Sequence, residues 1–134
     1  MDCVIDTNVL VYELLEDSEH HEKAKELLES VTGCLVPTTV IEEFVHVMNK
    51  LGISNNIIKG KMEELLNAAD IDVLPISVSN ISDAIRLTAK YGLSFRDFND
   101  QLIISAAKAE NAQVMTFDLR MAAECSKEGV KTIK

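Results

Sequence analysis

Short apolar runs alternate along this chain with longer segments in which hydrophobic residues recur every three or four positions. Runs rich in β-branched residues predict strands, and the longer period predicts amphipathic helices. The apolar runs predict five strands, at residues 3–6, 34–38, 72–76, 114–117 and 131–133. The segments between them predict helices near residues 9–15, 20–31, 40–50, 55–69, 79–91, 97–111 and 120–126.

This alternation is typical of the α/β class, with a parallel sheet covered by helices on both faces. The runs CVI and VMTF have apolar residues on both faces, as buried parallel strands do. Ligands of such sheets bind outside the carboxyl ends of the strands. Asp6 and Asp118 each follow an apolar strand, so we expect both acids at the functional edge of the sheet.

Composition indicates the size and the compartment. With 134 residues, 47% of them hydrophobic, the chain is predicted to form one domain, residues 1–134, with an aliphatic core. No apolar stretch approaches the roughly 20 residues that cross a membrane, and no basic region precedes a hydrophobic segment at the N-terminus. We therefore expect a cytoplasmic protein without membrane contact. The cysteines are odd in number and lack CxxC spacing, which argues against a disulfide framework or a zinc site.

Charge limits the kind of partner. A net charge of −9 excludes an extended electrostatic grip on nucleic acid, which normally requires a basic face. It leaves open a nucleic-acid substrate held at a small, metal-bridged site. The sequence also shows no aromatic-rich segment that would predict a platform for stacked bases.

Two of the candidate acids have an ordinary structural explanation. Asp6, or Thr7 beside it, could cap the helix that follows, and Asp118 could cap the last helix. Acids at such strand-to-helix junctions commonly accept hydrogen bonds from the first backbone N–H groups of the helix.

Glu43 is harder to explain as structure. It stands between Ile41 and Phe44 on a mostly apolar helix. Adjacent helical positions lie about 100° apart, so if Glu42 points to solvent, Glu43 is carried toward the apolar side. A charge directed toward a core needs a partner.

The segment SFRDFNDQLIISAA contains two further acids. Ser94 and Asp97 fit the capping-box pattern, which gives Asp97 a structural role. Asp100 has no such explanation, because it lies one turn before Ile103 and Ile104, at the margin of the face that they bury. The helix dipole favours an acid here by only about 0.3–1 kcal/mol.

Asp6, Glu43, Asp100 and Asp118 are therefore candidate catalytic and metal-binding residues. If they converge, two carboxylates about 5 Å apart repel each other by roughly 3 kcal/mol at an effective dielectric constant of about 20. A hard divalent ion with oxygen ligands, Mg²⁺ or Mn²⁺, relieves this repulsion and supports phosphodiester hydrolysis.

Four motifs of this chain resemble those of the PIN-domain ribonucleases, the family that includes VapC-type toxins. VIDTNVL resembles the first motif, and PTTVIEEFVHVM resembles the second, with Glu43 rather than Glu42 at the acidic position. FNDQLIISAA resembles the third with Asp100, and VMTFD the fourth with Thr116 and Asp118. The 18 positions from Asp100 to Asp118 also suit the family.

The resemblance implies a three-layer α/β/α fold around a central parallel sheet of about five strands, commonly in a homodimer. It also implies a metal-dependent endoribonuclease that leaves a 5′-phosphate on its RNA product. In that interpretation one or two Mg²⁺ or Mn²⁺ ions are held by Asp6, Glu43, Asp100 and Asp118.

Other residues have supporting roles in the same interpretation. Thr7 or Asn8, together with Thr116, would orient the acids through hydrogen bonds. Asp97 is an alternative to Asp100 for the third ligand. Two arginines that flank the motif acids are candidates for phosphate contact or are solvated surface charges: Arg96 and Arg120.

Other functions remain as alternatives. A haloacid-dehalogenase-type phosphatase would need a second Asp where Asn8 stands, and a receiver domain would need an acid at the end of the strand DVLPI. The rival of a different class is a PIN-fold module that binds a partner protein and cuts little or no RNA. A toxin would have RNA, a small antitoxin and a second copy of the chain as partners. Apolar residues in segments 9–15 and 55–69 belong either to the core or to such a partner surface.

Overall fold

The computed structural model describes residues 2–134. In this range five strands are formed: β1 Cys3–Ile5, β2 Cys34–Pro37, β3 Ile71–Leu74, β4 Gln113–Met115 and β5 Thr132–Ile133. The α-helices between them are α1 Thr7–Leu14, α2 His21–Ser30, α3 Thr38–Lys50, α4 Asn55–Asn67, α5 Val78–Lys90, α6 Phe98–Ala109 and α7 Leu119–Lys127. A turn of 3₁₀-helix, Phe95–Asp97, precedes α6.

The strands form one parallel sheet in the order β3-β2-β1-β4-β5. Its central strand, β1, is fully buried, because Cys3, Val4 and Ile5 have no solvent exposure. Both faces of the strand are therefore covered, as a parallel sheet between two helical layers requires. The predicted three-layer α/β/α fold with a five-stranded parallel sheet is confirmed.

The helices show why the acids stand out from their surroundings. In α3, Phe44 and Met48 lie one turn apart and are fully buried. In α6, all seven residues in the range 101–107 are buried, because this helix lies against both the sheet and α5. Asp100 immediately precedes this buried stretch.

Among residues 2–134 no helix combines the length and the apolarity needed to cross a membrane.

The observed elements begin and end a few residues away from the predicted ones. Asp6 is not the last residue of β1; it is the N-cap of α1, and this helix begins at Thr7 rather than near residue 9. Thr38 likewise begins α3 instead of ending β2. The Asp6 carboxylate accepts from the first N–H group of α1, so β1 ends one residue earlier, whereas the Thr38 hydroxyl accepts from the Ile76 N–H after β3.

The apolar residues considered for a partner surface lie mostly in the core. Val9, Ile58 and Leu65 are buried. Ile57 and Leu66 point outward, with 52% and 65% of their surface exposed. The three cysteines are free, buried thiols: Cys3, Cys34 and Cys125.

Candidate functional site

The strand order reverses between β1 and β4, which are neighbours in the sheet but far apart in the chain. Ile5 pairs with Met115, so the residues that follow them, Asp6 and Thr116, lie side by side. The Asp6 N–H also donates to the Met115 carbonyl at 3.0 Å. In open α/β sheets, ligands bind at such a switch point, outside the carboxyl ends of the strands.

Asp6 is buried at this point and accepts three hydrogen bonds. Its Oδ1 accepts from the backbone N–H of Thr7 at 2.8 Å, as the predicted helix cap requires. Its Oδ2 accepts from the Thr116 hydroxyl at 2.8 Å and from the Asn8 amide at 3.3 Å. Burial raises the pKa of Asp6 above its ordinary value; the bonds from Thr116 and Thr7 oppose this shift, and two nearby carboxylates add to it.

Asn8 connects the first motif with the fourth. Besides Asp6, its amide donates to the Thr116 hydroxyl at 3.3 Å. Its Oδ1 accepts from the Phe117 backbone N–H at 3.0 Å. The side chain thus fixes the start of α1 against the segment that follows β4.

Glu43 is half-buried, whereas Glu42 is exposed, in agreement with the expectation from helix geometry. The Asn99 amide donates to Glu43 Oε2 at 2.8 Å. The Asn99 oxygen accepts in turn from the hydroxyl of Thr39. Because Asn99 precedes Asp100, this pair of hydrogen bonds holds the second and third motifs together.

Asp118 is exposed and is the N-cap of α7. Its Oδ1 accepts from the N–H groups of Arg120 at 2.9 Å and Met121 at 3.3 Å. Its own N–H donates to the Thr116 hydroxyl at 3.0 Å. The predicted capping role is thus present, and it occupies only one of the two carboxylate oxygens.

Asp100 differs from the other acids because its carboxylate makes no hydrogen bond or ion pair within residues 2–134, and the guanidinium of Arg120 acts on it only from a distance. The side chain is half-buried at the start of α6. Burial is the main reason that the pKa of Asp100 is raised, to about 7. The charges of four carboxylates add to this effect: Asp6, Glu124, Asp118 and Glu43.

The structure places the four candidate acids around one cleft of about 220 Å³: Asp6, Glu43, Asp100 and Asp118. The other residues that line it are Thr7, Asn8, Val11, Tyr12 and Val47. We call this space the acidic cleft. The acids come from β1, α3, α6 and the segment after β4, so the fold alone brings them together.

Asp97 and the two arginines do not line the acidic cleft. The predicted capping box is wrong: the Ser94 hydroxyl accepts from the Arg96 N–H at 3.2 Å, because residues 95–97 form a 3₁₀ turn. The Asp97 carboxylate instead accepts from the Arg120 guanidinium at 2.5 Å. Arg120 also lies 3.6 Å from Glu124, while Arg96 is exposed.

Glu124 is an acid beside the cleft that the sequence interpretation missed. It is buried in α7 and accepts a 2.9 Å hydrogen bond from Gln101, which is also buried. Glu124 lies on the same helical face as the buried Met121. The criterion that selected Glu43, an acid on an apolar helix face, would therefore have selected Glu124 as well.

Three rings from separate segments meet beside the cleft, although no aromatic-rich segment exists. Tyr12 in α1 and Phe117 after β4 have ring centroids 5.3 Å apart, nearly perpendicular at 79°. His20 lies 4.7 Å from Tyr12 and 5.1 Å from Phe117. We call these residues the aromatic cluster. The local aromatic content of the sequence does not reveal the cluster, because its rings come from three separate segments.

Residues 3–124 match the family model described as the PIN domain. The chain belongs to the PIN-domain family. The matched range includes all four acids of the cleft. A comparison of this PIN domain with curated proteins gives no match.

Solved structures with the same fold include several toxins and toxin–antitoxin complexes. VapC20 of Mycobacterium tuberculosis, described as a toxin that cleaves the sarcin-ricin loop, is 15% identical, with a TM-score of 0.79 over 90% of this chain and 93% of its own. VapBC2 of Rickettsia felis, bound to a promoter DNA fragment, is 20% identical, with a TM-score of 0.68 over 99% of this chain and 98% of its own. DNA-bound VapBC of Salmonella typhimurium is 16% identical, with a TM-score of 0.71 over 99% and 97%. At these identities the likeness establishes the fold.

The acidic cleft of this PIN domain suits a hard divalent cation by its donor atoms, which are carboxylate, hydroxyl and amide oxygens. The Asp100 carboxylate makes no ion pair, and the buried Thr7 hydroxyl has no hydrogen-bond partner, among residues 2–134. As the side chains stand, no three Asp, Glu, His or Cys residues in that range are close enough to hold one ion. Coordination by the full set would therefore require carboxylates to rotate toward the centre of the cleft.

Proposed function

We propose that this PIN-domain protein is a Mg²⁺- or Mn²⁺-dependent endoribonuclease with Asp6, Glu43, Asp100 and Asp118 as its catalytic and metal-binding residues. One observation carries the proposal. Four carboxylates from distant parts of the chain line a single small cleft, and Asp100 among them makes no hydrogen bond or ion pair within residues 2–134. Repulsion of this kind favours occupation by a cation.

The residues of the cleft would have different tasks. Thr116 and Asn8 hold Asp6 in one orientation, and Asn99 does the same for Glu43. A bound Mg²⁺ or Mn²⁺ would neutralise the carboxylates, polarise the phosphate and make water more acidic. Asp100, with its pKa raised to about 7, would release its proton near neutral pH when a cation enters.

RNA is the proposed substrate. The fold is shared with VapC20, which is described as cleaving the sarcin-ricin loop. A net charge of −9 favours a short contact around the scissile phosphate over an extended track along the strand. Arg96 and Arg120 are the candidates for phosphate contact at its edge, and Arg120 would first have to leave Asp97.

The proposed biological role is that of the toxin in a toxin–antitoxin pair in the cytoplasm, with a small antitoxin and a second copy of the chain as partners. Several solved structures with this fold are toxin–antitoxin complexes. They also support the alternative of a protein-binding module with little or no nuclease activity. In that case the cleft would be a docking feature and the acids would be dispensable for any RNA cleavage.

The two functions are separated by a cleavage assay on single-stranded RNA with Mg²⁺ or Mn²⁺. We expect wild-type protein to cut the RNA and EDTA to stop it. Glu43→Gln, which removes one charge from the cleft, is expected to lower the rate by about 100-fold or more. Glu42→Gln is the matched control, because Glu42 is exposed on the same helix.

Three results would count against the proposal. Equal cleavage in EDTA would reject the metal mechanism. Equal activity of Glu43→Gln and Glu42→Gln would reject the assignment of the cleft. Binding of an antitoxin without any cleavage by wild type would instead support the binding module.

A further inference from the structure

The aromatic cluster is only partly covered by the rest of the protein. Tyr12 and Phe117 are half-buried against the core, and the His20 side chain is 41% exposed. No protein group among residues 2–134 accepts from or donates to the Tyr12 hydroxyl. Packing against the core thus explains one side of the rings and leaves another side open to solvent.

The position of the cluster follows from the same residues that build the acidic cleft. Tyr12 lies one turn after Asn8 on α1, and both residues line the cleft. Phe117 is held by its N–H to the Asn8 side chain and precedes Asp118. The rings are therefore continuous with the acids.

The loop before α2 is also fixed. His21 Nδ1 lies 3.1 Å from the Tyr12 carbonyl, where it can donate a hydrogen bond. The Ser18 hydroxyl accepts from the His20 N–H at 3.2 Å. These contacts fix the backbone around His20 beside α1, and the imidazole of His20 packs against the other two rings, so the cluster is present without a ligand.

We propose that Tyr12, His20 and Phe117 form a subsite for an unpaired RNA base, next to the phosphate bound at the acidic cleft. The inference rests on the proposed function, because its occupant is the substrate of the same cleft. Proteins that bind single strands combine a backbone site with aromatic rings on which bases stack.

The charge of the chain makes this subsite important for affinity. Binding by neutralisation of phosphates is weak for a protein with a net charge of −9. Base stacking does not depend on the charge of the protein, and each stacked base typically strengthens binding by about 5- to 150-fold. Bases inside a duplex are already stacked and cannot reach the rings, so the subsite selects single-stranded RNA.

The test is a binding titration with a short single-stranded RNA that contains 2-aminopurine, whose fluorescence falls when the base stacks. The parent protein carries Asp100→Asn, so that the RNA stays intact. We expect Tyr12→Leu and Phe117→Leu in this parent to raise Kd by about 5- to 150-fold and to reduce the quenching. Tyr12→Phe keeps the ring and should bind like the parent.

Phe95→Leu is the matched control, because Phe95 is 65% exposed, contacts another ring and does not line the acidic cleft. It is expected to leave both Kd and quenching unchanged. An RNA with an abasic residue in place of 2-aminopurine, titrated calorimetrically because it lacks the fluorophore, removes the stacked base from the ligand instead of a ring from the protein. It should weaken binding to the parent but cause no further loss in Tyr12→Leu.

The proposal is overturned if Tyr12→Leu and Phe117→Leu bind the RNA as the parent does. It is also overturned if the abasic RNA binds Tyr12→Leu more weakly than the RNA with 2-aminopurine does, by the same factor as in the parent. If these variants bind RNA normally but no longer bind a co-expressed antitoxin, the rings belong to a surface for a protein partner instead. If wild-type protein still cleaves RNA in Mn²⁺, these results reject the subsite alone. Absence of cleavage by wild type would reject the proposed function.

Discussion

The hydroxyl of Thr116 donates a 2.8 Å hydrogen bond to the carboxylate of Asp6, a residue 110 positions earlier in the chain. The bond forms because β1 and β4 are neighbours, with Ile5 opposite Met115. The orientation of Asp6 therefore depends on a residue that follows β4, far away in the sequence.

Thr116→Val keeps the shape of the side chain and removes this donor. We expect Mn²⁺ affinity to fall by about 10- to 100-fold, because the acid is no longer held in place. The free energy of unfolding should fall by about 1–3 kcal/mol, because Asp6 is buried and loses a hydrogen bond. Calorimetric Mn²⁺ titration and urea unfolding measure the two effects. Thr116→Ser keeps the hydroxyl and is the control; equal Mn²⁺ affinity of all three proteins would contradict the role of the bond.

Asp100 should make the stability of the metal-free protein depend on pH. Its pKa rises on folding from 3.8 to about 7, so the folded protein binds a proton that the unfolded chain has released. The stability that this bound proton contributes is therefore fully present below about pH 4 and is lost as the pH rises through about 7. Because the carboxyl is partly exposed, we discount the full shift and expect a loss of about 1–2 kcal/mol.

The measurement is urea unfolding in EDTA at pH 5 and pH 8 for wild type and Asp100→Asn. The variant should be the more stable protein at pH 8, and the difference in the free energy of unfolding between the two proteins should be smaller at pH 5. Asp97→Asn is a useful comparison, since Asp97 is paired with Arg120 and should lose rather than gain stability. An Asp100→Asn variant that is less stable than wild type at pH 8 would show that the carboxylate is not strained.

Glu128, which precedes β5 at the opposite edge of the sheet, should stabilise the fold without affecting the cleft. Its carboxylate accepts from Lys108 at 2.8 Å and from Lys90 at 3.3 Å, and also from the Tyr91 hydroxyl. The bonds from Lys108 and Tyr91 are the main reason that its pKa is lowered from 4.5 to about 2. The bonds join α5, α6 and the end of α7.

We expect Glu128→Gln to lower the free energy of unfolding by about 1–2 kcal/mol at pH 7. The contribution is fully present above about pH 4.5 and is lost as the pH falls through about 2, so wild type and variant should converge in acid. Urea unfolding from pH 7 to pH 2 measures the difference. Glu110→Gln, at an exposed acid, should show no such convergence. A difference in the free energy of unfolding between wild type and Glu128→Gln that stays the same at every pH would contradict the lowered pKa.

The sheet was predictable because its strands are short and β1, at its centre, is apolar on both faces. Cys3, Val4 and Ile5 can be buried only if helices cover both sides of β1. The strand ends were less predictable, because Asp6 and Thr38 are equally compatible with the last position of a strand and the start of a helix. At Asp6 a hydrogen bond from the following N–H group decides the boundary, while the Thr38 hydroxyl accepts from the distant Ile76 N–H, and sequence spacing reveals neither contact.

The candidate site was predictable where an acid conflicted with its local surroundings. Glu43 and Asp100 stand on helices whose neighbouring positions are apolar, and the fold brings both to the acidic cleft. The role of Asp97 was not predictable, because its partner, Arg120, lies 23 positions away. The aromatic cluster was invisible for the same reason: no two of its rings come from the same element.

The most direct test of the acidic cleft is a crystal structure of the protein soaked in Mn²⁺, with an anomalous difference map recorded at the manganese absorption edge. We predict a peak in the cleft within about 2.5 Å of carboxylate oxygens from Asp6 and Asp100, with Glu43 and Asp118 rotated toward it. A map without a peak in the cleft, at a Mn²⁺ concentration that supports RNA cleavage, would contradict the proposed metal site.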